Sequence, residues 1–207
     1  MSTLKMDRDA FWNLIDQARE QPDDPGKWLM KQLMALGPEQ ARTFDDIANA
    51  YISLANQYGL QLAASVMDRD GHSGVCFLKF QEWLVDQGKA VYMSALKDPD
   101  SLADAPNYRD MGQYHYLHSM GAKAYRALAG RTAAQDRNPA GYRVLKMELA
   151  RDIVYGGGIN RFRTRADALS YLPRVCARYL APVDIEVLAS SRERAEDRAA
   201  PQHQTAR

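Results

Sequence analysis

The chain has 207 residues, 46% of them apolar, which suits one globular domain with or without a tail. A formal net charge of +1 argues against a nucleic-acid binder, and a negative mean hydropathy excludes an integral membrane protein. The least charged stretch, Tyr51 to Met67, carries Asn56, Gln57 and Gln61 and is too polar to span a bilayer. Charge is unevenly distributed: −4 over 1–130, +6 over 131–181 and −1 over 182–207. A basic segment of this kind meets an acidic partner, a phosphate or, at least cost, the acidic half of its own chain.

In chain order, Asp7 caps a helix with Phe11, Leu14, Ile15 and Ala18 on one face. Pro22, Pro25 and Gly26 break it, and Trp28, Leu29, Leu33 and Leu36 form the next stripe. Gly37-Pro38 stops that helix and opens another, which places Ala41, Phe44, Ile47, Ala48, Tyr51 and Leu54 at three-and-four spacing. A shorter helix covers Leu60 to Met67, and Asp68 to Gly74 is a polar turn. Cys76, Phe77, Phe80, Trp83 and Leu84 form the strongest amphipathic stripe, and Trp83 is expected to anchor the main core. Gly88 ends this helix, Val91 to Leu96 begin another, and Asp98-Pro99-Asp100 is a break.

A long helix is expected from Met111 to Ala129, turning Tyr114, Leu117, Gly121, Ala124, Tyr125 and Leu128 inward and stopping at Gly130. Arg131 to Gly141 reads as a polar connector, Tyr142 to Tyr155 as a helix, and Gly156-Gly157-Gly158 as a loop. Thr164 with Asp167 resembles a capping box at the start of a last helix that Pro173 kinks or divides. After Leu188 no apolar stripe remains. The fold class is therefore all-α: a single-domain multi-helix bundle over 1–188 with a disordered C-terminal tail over 189–207.

The stretch Asp9-Ala10-Phe11-Trp12-Asn13-Leu14-Ile15-Asp16-Gln17-Ala18-Arg19 resembles the opening of a bacterial family, domain of unknown function family 4240. The resemblance continues through Leu36-Gly37-Pro38-Glu39 and Tyr51 to Ala64. It is most specific at Phe77, Phe80, Trp83-Leu84, Gln87-Gly88, Tyr92, Ala95-Leu96 and Pro99 to Asp104, and it extends to Leu172-Pro173-Arg174 and Ala177-Arg178-Tyr179. It implies a helical bacterial domain and no particular reaction. In the family a glycine-rich turn with paired acids often precedes the Phe-x-x-Phe-x-x-Trp helix. Here that turn reads His72-Ser73-Gly74-Val75-Cys76-Phe77, so chemistry resting on those acids is expected to be lacking.

Two residue groups are candidate sites. His115 and His118 stand three apart and His72 and Cys76 four apart, so a fold that joined the pairs would make a zinc-like set; otherwise each pair shares a partly buried helix face. Gly156-Gly157-Gly158 followed by Arg161, Arg163 and Arg165 ahead of a helix start can cradle an anion. The loop lacks the Gly-Lys-Ser/Thr ending of a Walker loop and the strand that precedes a dinucleotide loop, and a connector with locally paired arginines fits it as well. Arg174 and Arg178 bind an external acid or, at lower cost, acids of the N-terminal half.

Asp68 and Asp70 lack the distal Glu of a calcium loop, and no Gly-x-Ser-x-Gly elbow is present. Without an apolar signal segment at Met1 to Asp9 the expected location is cytoplasmic, with Cys76 and Cys176 as thiols. The expected function is a non-catalytic protein-interaction module, toxin-neutralising (immunity) or regulatory, with a protein partner, no membrane, no cofactor and an open oligomeric state. Two alternatives stand beside it: a small-ligand or metal-dependent enzyme using His72, Cys76, His115 and His118, and anion or nucleic-acid binding through the basic 143–178 segment.

Overall fold

The Asp7 carboxylate accepts the backbone N–H groups of Asp9 and Ala10 and so starts α1 (Arg8–Arg19), which turns Phe11, Trp12, Leu14, Ile15 and Ala18 inward. The computed structural model describes residues 5–68, 74–109, 116–159, 161 and 164–199, and of 74–76 and 192–199 the backbone alone. Asp24 caps α2 (Pro25–Leu36), whose Leu29 and Leu33 are buried while Trp28 and Leu36 are half-buried. Proline at the first position begins α3 (Pro38–Leu54). α4 (Tyr58–Met67), α5 (Gly74–Asp86) and α6 (Lys89–Lys97) follow, and Pro99–Asp104 makes a 3-10 turn at the expected break. Among the described residues every regular element is helical.

α3 is the hub, packing against α1, α2 and α5. Its Phe44 and Tyr51 meet Phe11 and Trp12 of α1 and Tyr92 of α6, with ring centroids 4.7 Å apart for Phe11–Phe44 and for Trp12–Tyr51 and 5.2 Å for Tyr51–Tyr92. All five rings are fully buried, and Tyr92 Oη donates to the Tyr51 carbonyl at 2.7 Å. Burial pushes the Tyr51 hydroxyl up to about 12. Trp83 is also buried, 5.4 Å from Phe80 and 5.2 Å from Tyr108, but it belongs to a second aromatic group. The Trp12 ring, between Tyr51 of α3 and Tyr92 of α6, joins three helices, and it shares one core with Trp83.

The long helix expected over Met111–Ala129 does not run through Tyr116, which takes a left-handed conformation at φ 51°. A 3-10 turn, Leu117–Ser119, leads into α7 (Met120–Ala129); Met111 to His115, with Tyr114, lie outside the described residues. Gly130, also left-handed, stops α7 at the expected place. Leu117, Gly121, Ala124 and Tyr125 are buried, but Leu128, on the same face, is 38% exposed at the end of the helix beside its Gly130 stop.

The polar connector contains a short turn of helix, α8 (Ala133–Asp136), under a Thr132–Gln135 capping box. α9 (Pro139–Ala150) starts before Tyr142, because Asn138 accepts the N–H groups of Ala140 and Gly141 and Pro139 fills the first position. Thr164 and Asp167 do form a capping box, over a 3-10 turn that continues into α10 (Ala168–Tyr171). Pro173 divides the last expected helix at Leu172 and opens α11 (Pro173–Tyr179). α12 (Pro182–Ala199) continues beyond Leu188, into the stretch where the sequence predicts a tail, with Ser190 and Ser191 bonding the carbonyls of Glu186 and Val187. Residues 200–207 lie outside the description.

α7 crosses α3 at a point with no room for a side chain. A Cβ on Gly121 would stand 2.7 Å from the Asp45 backbone nitrogen and 2.9 Å from the Ala41 carbonyl oxygen. Backbone atoms cannot swing aside, so Gly121→Ala should lower stability by roughly 1–3 kcal/mol through overpacking, despite the better helix propensity of alanine. Urea denaturation of the two proteins measures the difference.

Candidate functional site

Of the four expected metal-ligand positions, only the His118 side chain lies within the described region; His72, His115 and the side chain of Cys76 fall outside it. His118 is 8% exposed and sits against α5. Its Nδ1 is 3.1 Å from both carboxylate oxygens of Asp86, a geometry in which Nδ1–H donates, and its Nε2 is 3.9 Å from Glu82. The same carboxylate accepts the backbone N–H of Leu117 at 3.0 Å and of His118 at 2.7 Å. Asp86 therefore caps, from another helix, the turn that leads into α7. The arrangement is a buried clamp. Among the described residues no group of three or more His, Cys, Asp or Glu side chains is set to hold a metal ion.

Asp100 does the same for α11, accepting the N–H groups of Arg174 and Val175 at 3.2 and 2.9 Å. Several arginines of the basic segment are engaged by groups of the same chain. The Arg174 guanidinium pairs with Asp104, and that of Arg178 donates to the carbonyls of Ala103 and Ala105. Arg137 lies 2.8 Å from Asp45 and 2.5 Å from Asp46 on α3, with its guanidinium over the Tyr142 ring at 4.8 Å. Burial raises the Asp45 carboxyl above the ordinary range, against the opposing pull of Arg137.

Of the arginines that follow the glycine loop, Arg161 is exposed, Arg163 lies outside the description, and Arg165 is half-buried with its Nε buried and without a hydrogen-bond acceptor among the described residues. The loop itself, Gly156–Gly158, lines a cleft of about 400 Å³ between the start of α4, the end of α6 and the end of α10.

α9 has two unlike faces. Tyr142, Leu145 and Leu149 lean toward α3, and Lys146 Nζ reaches Ser53 Oγ at 2.5 Å. On the other face Val144 and Met147 are 56% and 65% exposed. Arg143 and Arg151 flank them, also exposed and without an ion pair among the described residues. Val154, just past the helix, is 64% exposed. Sequence periodicity alone does not reveal this face, because α9 carries apolar residues on both sides.

Cys176 is a buried free thiol that burial pushes from 9.0 up to about 11. No described helix is long and apolar enough to cross a membrane. A family model described as "Protein of unknown function (DUF4240)" matches residues 6–127, which takes in the Asp86–His118 clamp and ends short of α9 and of the late Leu172-Pro173-Arg174 likeness. No curated protein and no solved structure matches the chain.

Asp86→Ala should cost roughly 2–5 kcal/mol, since it orphans two buried N–H groups. Arg174→Ala, which breaks a pair exposed to solvent, should cost less than about 1 kcal/mol; paired urea melts of the two variants check the contrast. Cys176 should resist iodoacetamide at about pH 8 in the folded protein and react once unfolded, as read by peptide mass mapping. Its protonated thiol contributes stability that is complete below about pH 9 and is lost as pH rises toward 11, because the unfolded chain ionises first.

Proposed function

The chain belongs to the DUF4240 family, and we propose that it works as a protein-interaction module that docks an acidic partner protein on the outer face of α9. The observation that carries this reading is the pair Val144 and Met147, each more than half exposed on α9 and flanked by two arginines without an ion pair among the described residues. An apolar centre with a charged rim is the usual anatomy of a specific protein interface. The arginines favour carboxylates, which they bind bidentately, and steer an acidic partner into place. Arg137, Arg174 and Arg178 are engaged within the chain, so the remaining basic surface is local and suits a protein better than the extended backbone of a nucleic acid. The role is regulatory or neutralising, as for an immunity protein, because binding at this face needs no chemistry from the chain itself.

The test is capture from a lysate of the source organism on the immobilised full-length chain, with free chain as competitor. A saturable acidic partner is expected, with capture falling at least about tenfold for Met147→Asp, the effect of losing one interface hot spot. Arg143→Glu should weaken capture and its salt dependence together. Recovery of no saturable partner, or of the same partner by Met147→Asp, would overturn the reading.

A further inference from the structure

The cleft bordered by the glycine loop is independent of the α9 face and has a chemistry of its own. Three tyrosines from three separate segments line it: Tyr58 at the start of α4, Tyr155 after α9 and Tyr171 at the end of α10. Their exposures are 54%, 39% and 44%, so each ring is partly seated and partly offered to the opening. Its volume, about 400 Å³, falls in the range of small-molecule sites.

The walls of the cleft are fixed. The Gly156 N–H donates to the Leu96 carbonyl at 2.9 Å, and the loop lies so close to the end of α6 that a Cβ on Gly156 would stand 2.1 Å from the Lys97 carbonyl oxygen. A second close approach joins the floor, where a Cβ on Gly59 would meet the Pro99 ring at 2.7 Å. Between these contacts the next glycines are open: a Cβ on Gly157 or Gly158 would have nothing within 4 Å. The cleft is therefore a preformed space that needs no displaced side chain to fill.

Its polar groups include several donors, and the Asp98 carboxylate that lines the space beside them accepts the Asp100 N–H at 3.1 Å. The N–H groups of Gly157 and Gly158 have no acceptor among the described residues. Lys97, which also lines the space, is exposed and makes no ion pair among the described residues. The first turn of α4 forms part of the wall without a side-chain cap, since the Gln57 amide turns away to the Leu54 carbonyl. Aromatic rings select a flat ring, and clustered N–H donors beside an ammonium select an anion.

We propose that this cleft binds a small organic anion built on a planar ring, of about mononucleotide size, with the ring against the tyrosines and the acidic group toward Lys97 and the glycine amides. A nucleoside monophosphate and an aromatic carboxylate share this chemistry.

Isothermal titration of the full-length chain tests it with adenosine 5′-monophosphate and indole-3-acetate as ring-bearing anions, adenosine as a ring without the anion, and inorganic phosphate as an anion without the ring. Saturable one-to-one binding of at least one ring-bearing anion is expected, at least about tenfold tighter than adenosine or phosphate, a gap of about 1.4 kcal/mol. The bound acid identifies the source, phosphate or carboxylate. Gly157→Leu, which places a side chain in open space, should abolish binding while leaving the melting temperature unchanged. Tyr171→Ala, at a partly exposed position, should weaken it about tenfold and provides the test if Gly157→Leu does not fold. Failure of both ring-bearing anions to bind, equal binding of phosphate or adenosine, or unaltered affinity in a folded variant would each overturn the proposal.

Discussion

The crossing of α7 over α3 at Gly121 sets where the rest of the chain can go. Gly121 carries no side chain, so the α7 backbone lies directly against the Ala41 carbonyl, the Asp45 nitrogen and the Phe44 ring, which gives α7 one depth relative to the hub helix. Phe44 lies in this contact and in the aromatic cluster with Phe11, so the crossing is continuous with the centre of the core. One turn of α3 thereby serves two purposes. The Asp45 backbone abuts Gly121, while its side chain and that of Asp46 hold Arg137 and bring α9 onto the other flank of α3. From α9 the chain continues to Tyr155 and the glycine loop, so both proposed surfaces depend on that crossing.

Buried aspartates perform the work that local capping residues do elsewhere. Asp86 on α5 holds the approach to α7, and Asp100 in the 3-10 turn holds the start of α11. In each case a carboxylate supplied by one element satisfies N–H groups that another element leaves open, which couples secondary structure to tertiary contact. Arg109 adds a third tie of this kind, donating to the Met67 and Tyr179 carbonyls at 2.9 Å each and so joining α4 to the end of α11. Several charges that look like a binding surface in the sequence are thus part of the scaffold.

Much of the fold is legible in the sequence because many helix ends carry their own signals. Asp7, Pro38, Gly130 and the Thr164–Asp167 box each act through residues within a turn of the boundary. The break at Tyr116 is not legible, because the acid that enforces it, Asp86, stands on a distant helix. The early start of α9 rests on Asn138 and Pro139, a local signal set within an otherwise polar connector that masks it. The functional surfaces follow the same division. The glycine loop stands out as a string of residues, yet Tyr58 and Tyr171, which give its cleft a chemistry, have no periodic relation to it and become neighbours through packing alone. The outer face of α9 is hidden for the opposite reason: valine and methionine read as core until the burial of each side is known.

The α3–α7 contact also has a kinetic side. Its two halves are far apart in sequence, so closing it carries the entropy of a long loop and raises the contact order of the fold. During synthesis α1 to α6 leave the ribosome first. The face of α3 around Ala41 and Phe44 then stays uncovered until Gly121 has emerged, and that interval exposes apolar surface to chaperones and to other nascent chains.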